Sequence, residues 1–223
     1  MAADTDANSE HRVPLSRERV LRAAIVLADT GGIEALTMRR LGQELGVEAM
    51  SLYNHVANKD DILSGIAELV FGEIALPSSE DNWKTAIRTS AISAHGVLRR
   101  HPWASSIMMS PTRVSPARLL WMETVLKTLR EGGFSAQLTC HAYHALDSHI
   151  TGFTLWQASI PASGQALREI AATFLRRLPI DEYPYVGEHI EQHLAPPRPD
   201  DQGAFAFGLD LILDGLERIR DRD

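Results

Sequence analysis

Cysteine is almost missing from this chain: Cys140 is the single one in 223 residues. That excludes an internal disulfide, and one thiol cannot by itself hold a structural zinc. No strained nucleophile-type turn surrounds Cys140, so it reads as a small buried hydrophobe. Also absent is any run of about 18 apolar residues, the length that crosses a bilayer. The opening residues MAADTDANSEH are acidic and polar, where a secretory signal would be basic and then apolar. A cytoplasmic location with no membrane contact is therefore expected. No segment alternates apolar and polar residues as a half-buried strand does, which leaves an all-α fold. There is no HExxH pattern, and no cofactor or metal is expected.

What is present is enough apolar material for a real core, 44% of the residues, and a net charge of −7. The acid is unevenly placed. From Arg12 to Lys59 seven bases stand against five acids, so this stretch is weakly basic and the remainder carries the negative charge. Attraction to nucleic acid follows local phosphate contacts more than the total charge. A compact basic face on an acidic body suits a DNA-binding module of modest affinity that works in pairs.

The first seventy residues read as short helices. Ser16 is placed to cap a helix over 15–30, with Val20, Leu21, Ala24, Ile25, Leu27 and Ala28 at helical spacing. Gly31 and Gly32 stop it, and the Thr37 hydroxyl leads into TMRRLGQELG, where Leu41 and Leu45 lie four apart and Gly46 supplies the break. EAMSLYNHV follows, with Val47, Leu52 and Val56 facing inward. Two short helices joined by a glycine-containing turn form a helix-turn-helix, whose second helix enters the major groove and meets base edges with its N-terminal residues. There Ser51 offers a hydrogen bond, and Ala49 and Met50 offer apolar contact to thymine methyls. Arg39 and Arg40 fit bidentate contact to guanine or phosphate, or simply a solvated helix face.

The stretch RVLRAAIVLADTGGIEALTMRRLGQELGVEAMSLYNHVANKDDIL resembles the DNA-binding domain of the tetracycline-repressor (TetR) family over its whole length, most specifically in LTMRRLGQELGV and SLYNHVANKDDIL. The resemblance implies base contacts by Ala49, Met50 and Ser51, and a contact to a base or a phosphate by Arg39, with Arg40 as its weaker companion. It implies phosphate-backbone contacts at Tyr53, His55 and Lys59, and Asn54 is a further DNA-binding candidate. The expected organisation is a disordered tail over 1–14, a three-helix helix-turn-helix domain over 15–60 and a larger helical domain over 61–223 for effector binding and dimerisation.

In that larger domain a helix from Lys59 towards Ile74 connects the two parts, and PSSEDN follows as a linker. Helical patterns run over 83–99, 103–109, 116–131, 136–158 and 165–178, punctuated by Pro102, Pro111, Gly132, Gly133, Pro161 and Pro179. In GAFAFGLDLILDGLERIR, the residues Phe205, Leu209, Ile212, Leu216 and Ile219 recur at spacings of four and three. Phe207, Leu211 and Leu213 widen that stripe beyond what a helix packed on one side requires. Burial on two sides is expected, once by its own domain and once by a second copy. Ala145, Ser148 and Gly152 are small residues on one face of the 136–158 segment and permit close helix approach. The family resemblance implies a four-helix dimer interface made from these two segments. A monomer with an internal core helix is the competing reading.

Trp103, Met108, Met109, Trp121, Phe153 and Trp156 supply aromatic and apolar surface, and His95, His101, His141, His144 and His149 supply polar handles. Aromatic residues at helical spacing also fit plain core. The family implies an effector pocket in this domain, and Trp103, Met108, Trp121, His144, Phe153 and Trp156 are its candidate residues. The positions matching the tetracycline repressor's drug ligands hold approximately Ala75, Ser90 and Ile107, none a comparable ligand, so a different hydrophobic effector is expected. His141, His144 and Asp147 share a helical face but do not close a metal's coordination sphere.

The expected function is a ligand-responsive, homodimeric repressor that holds a palindromic double-stranded DNA operator and is released by a small hydrophobic molecule. An activator or a ligand-independent repressor has the same fold. A helical binding protein or enzyme would need convergent titratable groups, which the scattered histidines do not supply.

Overall fold

The computed structural model describes residues 14–108, 115–160, 164–177, 179, 182–194 and 203–222. Eleven α-helices and no strand occur among them. The chain divides between Ala67 and Glu68 into two compact units. Of the tail expected over 1–14, all but the last residue lies outside the described residues.

The first unit holds α1 (Arg17–Gly31), α2 (Met38–Leu45), α3 (Ala49–Leu52) and the start of α4 (Lys59–Phe71). Side chains set the helix starts. Ser16 Oγ accepts the Arg19 amide, Thr37 Oγ1 accepts the Arg40 amide, and Asn58 Oδ1 accepts the Asp61 amide. The turn between α2 and α3 depends on two glycines for different reasons. Gly46 ends α2 in the left-handed region at φ 66°, which a residue with a side chain enters only at a cost. Gly42 is buried in α2, and a Cβ there would stand 2.8 Å from the Val47 carbonyl oxygen. Val20, Ala24, Leu36, Leu41, Leu52, Val56, Ile62 and Ile66 form the core. Arg17 grips Asp61 through two hydrogen bonds of 2.7 Å, and the Ala57 amide donates to the same carboxylate. The Arg17 bonds, then the Ala57 amide, hold the Asp61 carboxyl down at about 2.

The second unit is built around α5 (Trp83–Arg100) and α8 (Ala136–Ala158), flanked by α6 (Pro102–Met108), α7 (Pro116–Glu131) and α11 (Gly203–Arg220). It also contains α9 (Gly164–Arg177) and α10 (Pro184–Leu194). The helix α10 is absent from the sequence expectation, whose patterns pass from 178 directly to the terminal helix. Asn82, Ser115 and Ser135 cap α5, α7 and α8. Ile87, Leu98, Met108, Leu129, Phe134, Leu146, Ile150, Leu209 and Leu213 are nearly inaccessible to water. Trp83 meets Phe134 edge-on at 4.8 Å, and the Arg220 guanidinium lies over the Trp83 ring, which joins the start of α5, the REGGFS turn and the end of α11. Ion pairs fasten α11 along α5: Lys84 to Asp214 at 2.7 Å and to Glu217 at 2.6 Å, and Arg88 to Asp210 at 2.6 Å.

The helix α4 runs unbroken across the division between the units. Its second-unit end is tied down by Glu68, which accepts the Ala117 amide in the first turn of α7. Beyond α4, Glu73 pairs with Arg100 at 2.6 Å, Ser93 accepts the Ala75 amide, and Ser90 donates to the Ala75 carbonyl. Trp121 Nε1 of α7 donates in turn to Ser90 Oγ at 2.9 Å.

Candidate DNA-reading motif and ligand cavity

The helix-turn-helix presents an unusual outer surface. Leu52 and Val56 anchor α3 from beneath, so its remaining side chains face outward. Met50 is 74% exposed and Tyr53 46%, although both are large and partly apolar. Asn54, Lys59, Arg39 and Arg40 are exposed, and Ala49, Ser51 and His55 are half-buried. The structure separates the bases that sequence lists together. Arg17 and Arg22 are held by Asp61 and Glu18. Arg39, Arg40 and Lys59 form no ion pair among the described residues. Three free cations and two exposed large side chains therefore occupy one small unit, with backbone amides of α3 opening at Ala49.

An open-sided cavity of about 1240 Å³ lies in the second unit. Ile92, His95, Leu98 and Arg99 of α5, Phe153, Trp156 and Gln157 of α8, Leu167 of α9, His189 and His193 of α10, and Phe205 of α11 line it. Of the six candidate effector residues, Phe153 and Trp156 are in this wall. Trp103, Met108 and Trp121 are instead buried in the core, and His144 is exposed on α8; none lines this cavity. Met109 lies outside the described residues. Phe205, expected at the dimer interface, stacks on His95 with ring centroids 3.9 Å apart. Sequence reasoning missed His189 and His193, because the helix carrying them was not foreseen. Their spacing of four, which places both rings on one face, was the available signal.

Among the titratable groups, burial first, then the Arg99 and His149 charges, lower His95 to about 4. His149 is held by the Phe205 carbonyl at 2.9 Å. Asp147 is raised from its ordinary value, chiefly by burial, and its Oδ1 has no hydrogen-bond partner among the described residues. His141 and His144 are exposed beyond it. No cluster of three or more metal-holding side chains occurs among the described residues. Of the residues that the sequence resemblance sets approximately against tetracycline ligands, Ser90 is engaged with Ala75 and Trp121, and Ile107 is buried.

On α11, Phe205, Leu209 and Leu216 turn into the chain's own core, with Ile212 half-buried at its edge. Three of the four α11 residues expected at the dimer interface are thus interior to a single copy of the chain. Phe207, Leu211 and Ile219 form the outward stripe, with Leu211 55% exposed. On α8, Ser148 and Gly152 are exposed and Ala145 is half-buried.

A helix-turn-helix with free cations, followed by a helical body containing a cavity, defines a DNA-binding regulator. Residues 20–66 match the family described as bacterial regulatory proteins, tetR family, and residues 76–220 match the tetracyclin repressor-like C-terminal domain. The HTH-type transcriptional repressor DrrR1 of Streptomyces coeruleorubidus is 30% identical over 217 residues, spanning 91% of this chain and 77% of that protein. The class D tetracycline repressor of Escherichia coli is 30% identical over 206 residues, 91% and 89% of the two chains. The solved structure of ActR from Streptomyces coelicolor in complex with actinorhodin superimposes with a TM-score of 0.72 at 26% identity, covering 93% of this chain and 99% of that one. The chain belongs to the TetR family of transcriptional regulators.

Proposed function

We propose that the chain is a homodimeric repressor that holds a palindromic operator through Arg39, Ala49, Met50, Ser51, Tyr53, His55 and Lys59, and releases it when a small molecule enters the C-terminal unit. The observation that carries the DNA reading is the sorting of charges in the first unit. Arg17 and Arg22 of α1 are paired within the chain, whereas Arg39, Arg40 and Lys59 are left for phosphates and base edges. The exposed Met50 and Tyr53 fit the same surface, because contact with thymine methyls and sugars removes them from water. Pairing of two weakly basic modules supplies affinity that one lacks. The outward stripe of Phe207, Leu211 and Ile219 on α11, beside the small residues of α8, is the proposed interface.

The ligand reading rests on the cavity and on named relatives, since ActR has been solved with actinorhodin bound. A ligand that shifts α5 moves the anchors of the segment after α4, namely Ser90, Ser93 and Arg100. Because α4 continues into the first unit, that movement redirects the reading helix, which is a coupling between two sites through one element.

Selection of duplexes from a random library by the purified protein tests the reading directly. Enrichment of a palindrome is expected, and no enrichment after removal of bound ligand would sink it. Leu211→Glu is expected to halve the mass in solution, and an unchanged dimer mass would move the interface elsewhere.

A further inference from the structure

The cavity wall is chemically one-sided. Its described lining contains two arginines and three histidines and no Asp or Glu, although the chain as a whole carries a net charge of −7. Arg88 is already neutralised by Asp210. Arg99 has no ion pair among the described residues, so its guanidinium is the uncompensated charge of the wall.

Two acceptors accompany it. The Thr154 hydroxyl donates its proton to the Ile150 carbonyl at 2.7 Å. It therefore accepts from His95 Nδ1, 3.0 Å away, which places the imidazole proton on Nδ1. The ring is neutral at pH 7, because burial and the Arg99 and His149 charges hold it at about 4. Its Nε2 is consequently a bare acceptor. Gln157 Oε1 is the second: it has no hydrogen-bond partner among the described residues, and because it is enclosed a ligand donor reaches it once the Gln157 side chain turns towards the cavity. Beside these groups Phe153 meets Trp156 at 5.2 Å and Phe205 at 5.6 Å, both edge to face, which gives apolar surface on which a flat ring can lie.

A cationic ligand would be repelled by this wall. A hydrocarbon would cover Arg99 without pairing it, which is a cost, and would gain nothing from Gln157 Oε1. We propose that the cavity takes a hydroxylated aromatic acid, whose carboxylate or ionised phenol pairs with Arg99 and whose hydroxyl donors meet His95 Nε2 and Gln157 Oε1. This assignment rests on the reading of the cavity as the ligand site.

Isothermal titration of the full-length protein tests it with three probes: 6-hydroxy-2-naphthoic acid, its methyl ester, and 6-methoxy-2-naphthoic acid. The hydroxy acid is expected to bind at least about tenfold more tightly than the ester, the size of a charge-assisted contact. Arg99→Gln should bring the acid down to the level of the ester, and Arg99→Lys should restore part of the difference. Gln157→Leu should narrow the preference for the hydroxy over the methoxy acid. Equal binding of acid and ester, or an acid preference that survives Arg99→Gln, overturns the proposal. Trp156→Ala separates the two levels of failure. If it weakens all three probes alike while acid and ester bind equally, the cavity stands as a ligand site and only the acid assignment falls. If no probe binds saturably, or Trp156→Ala changes none of them, the cavity reading falls together with the acid assignment.

Discussion

The two units handle charge in opposite ways. In the C-terminal unit three of the four cations on α5 are consumed internally, with Lys84, Arg88 and Arg100 each facing a carboxylate at 2.6–2.7 Å, and Arg99 alone is left to the cavity. These pairs are partly exposed, so each adds little stability, but together they fix the register of α11 and of the segment after α4 against one helix. In the N-terminal unit one such pair, Arg17 with Asp61, ties α1 to α4, and the bases around the helix-turn-helix are left open. A positive side chain paired within its own domain positions backbone. One left unpaired is available to something outside, and the basic total of a segment does not distinguish the two.

The largest test of the contrast lies in the C-terminal core. Leu209 is wholly buried, and Leu209→Ala should lower unfolding stability by about 2–5 kcal/mol. DNA-dependent fluorescence anisotropy at low temperature should change far less than the melting temperature. Next is Gly42→Val, which forces branched carbons against the Val47 carbonyl and should cost about 1–3 kcal/mol in the N-terminal unit. Operator binding should be lost while probe binding in the cavity persists; loss of both would mean the units do not act separately.

Arg39→Ala should weaken a selected operator by about 10–100-fold if the guanidinium reads a base, and random duplex by less. Equal loss at fixed salt would reduce Arg39 to a phosphate contact. Acid titration gives the smallest effects, and the two units should respond in different windows. The folded pKa of His95, about 4, lies below its ordinary 6.5, so the unfolded chain takes up a proton that the folded one refuses. Stability of the C-terminal unit should fall as pH drops from 6.5 towards 4, by at most about 2 kcal/mol after allowance for solvent. Asp61 is also depressed, from 3.8 to about 2, so its contribution is complete above 3.8 and is lost as pH falls towards 2. That loss should stay under about 1 kcal/mol, because the pair is exposed. His95→Phe should flatten the first window and leave the second in place.

The same contrast explains what the sequence made legible. Ser16, Thr37 and Gly46 each act on backbone within a few residues of themselves, and Leu41 and Leu52 fall at readable spacings, so caps, breaks and spacing define the helix-turn-helix without tertiary knowledge. The breaks that bound α5, α7, α8 and α11 were readable for the same reason. The cavity was not, because its wall is assembled from six helices, and no local rule says that Trp156 faces a void while Trp121 faces Ser90. Nor does spacing alone divide α11. Leu209 and Leu211 belong to one broad apolar stripe, and only the position of α5 and α8 decides that the first is interior and the second outward.

The solitary thiol of Cys140 lies exposed on α8 rather than buried as its residue type suggested. A nitroxide attached there labels each chain at one place, with no background cysteine to remove. If two copies associate, dipolar spectroscopy on the natural sequence would return a single inter-label separation. Repeating that measurement with duplex and then with the naphthoic acid would report, on the unaltered polypeptide, whether the association itself changes shape or only the reading heads do.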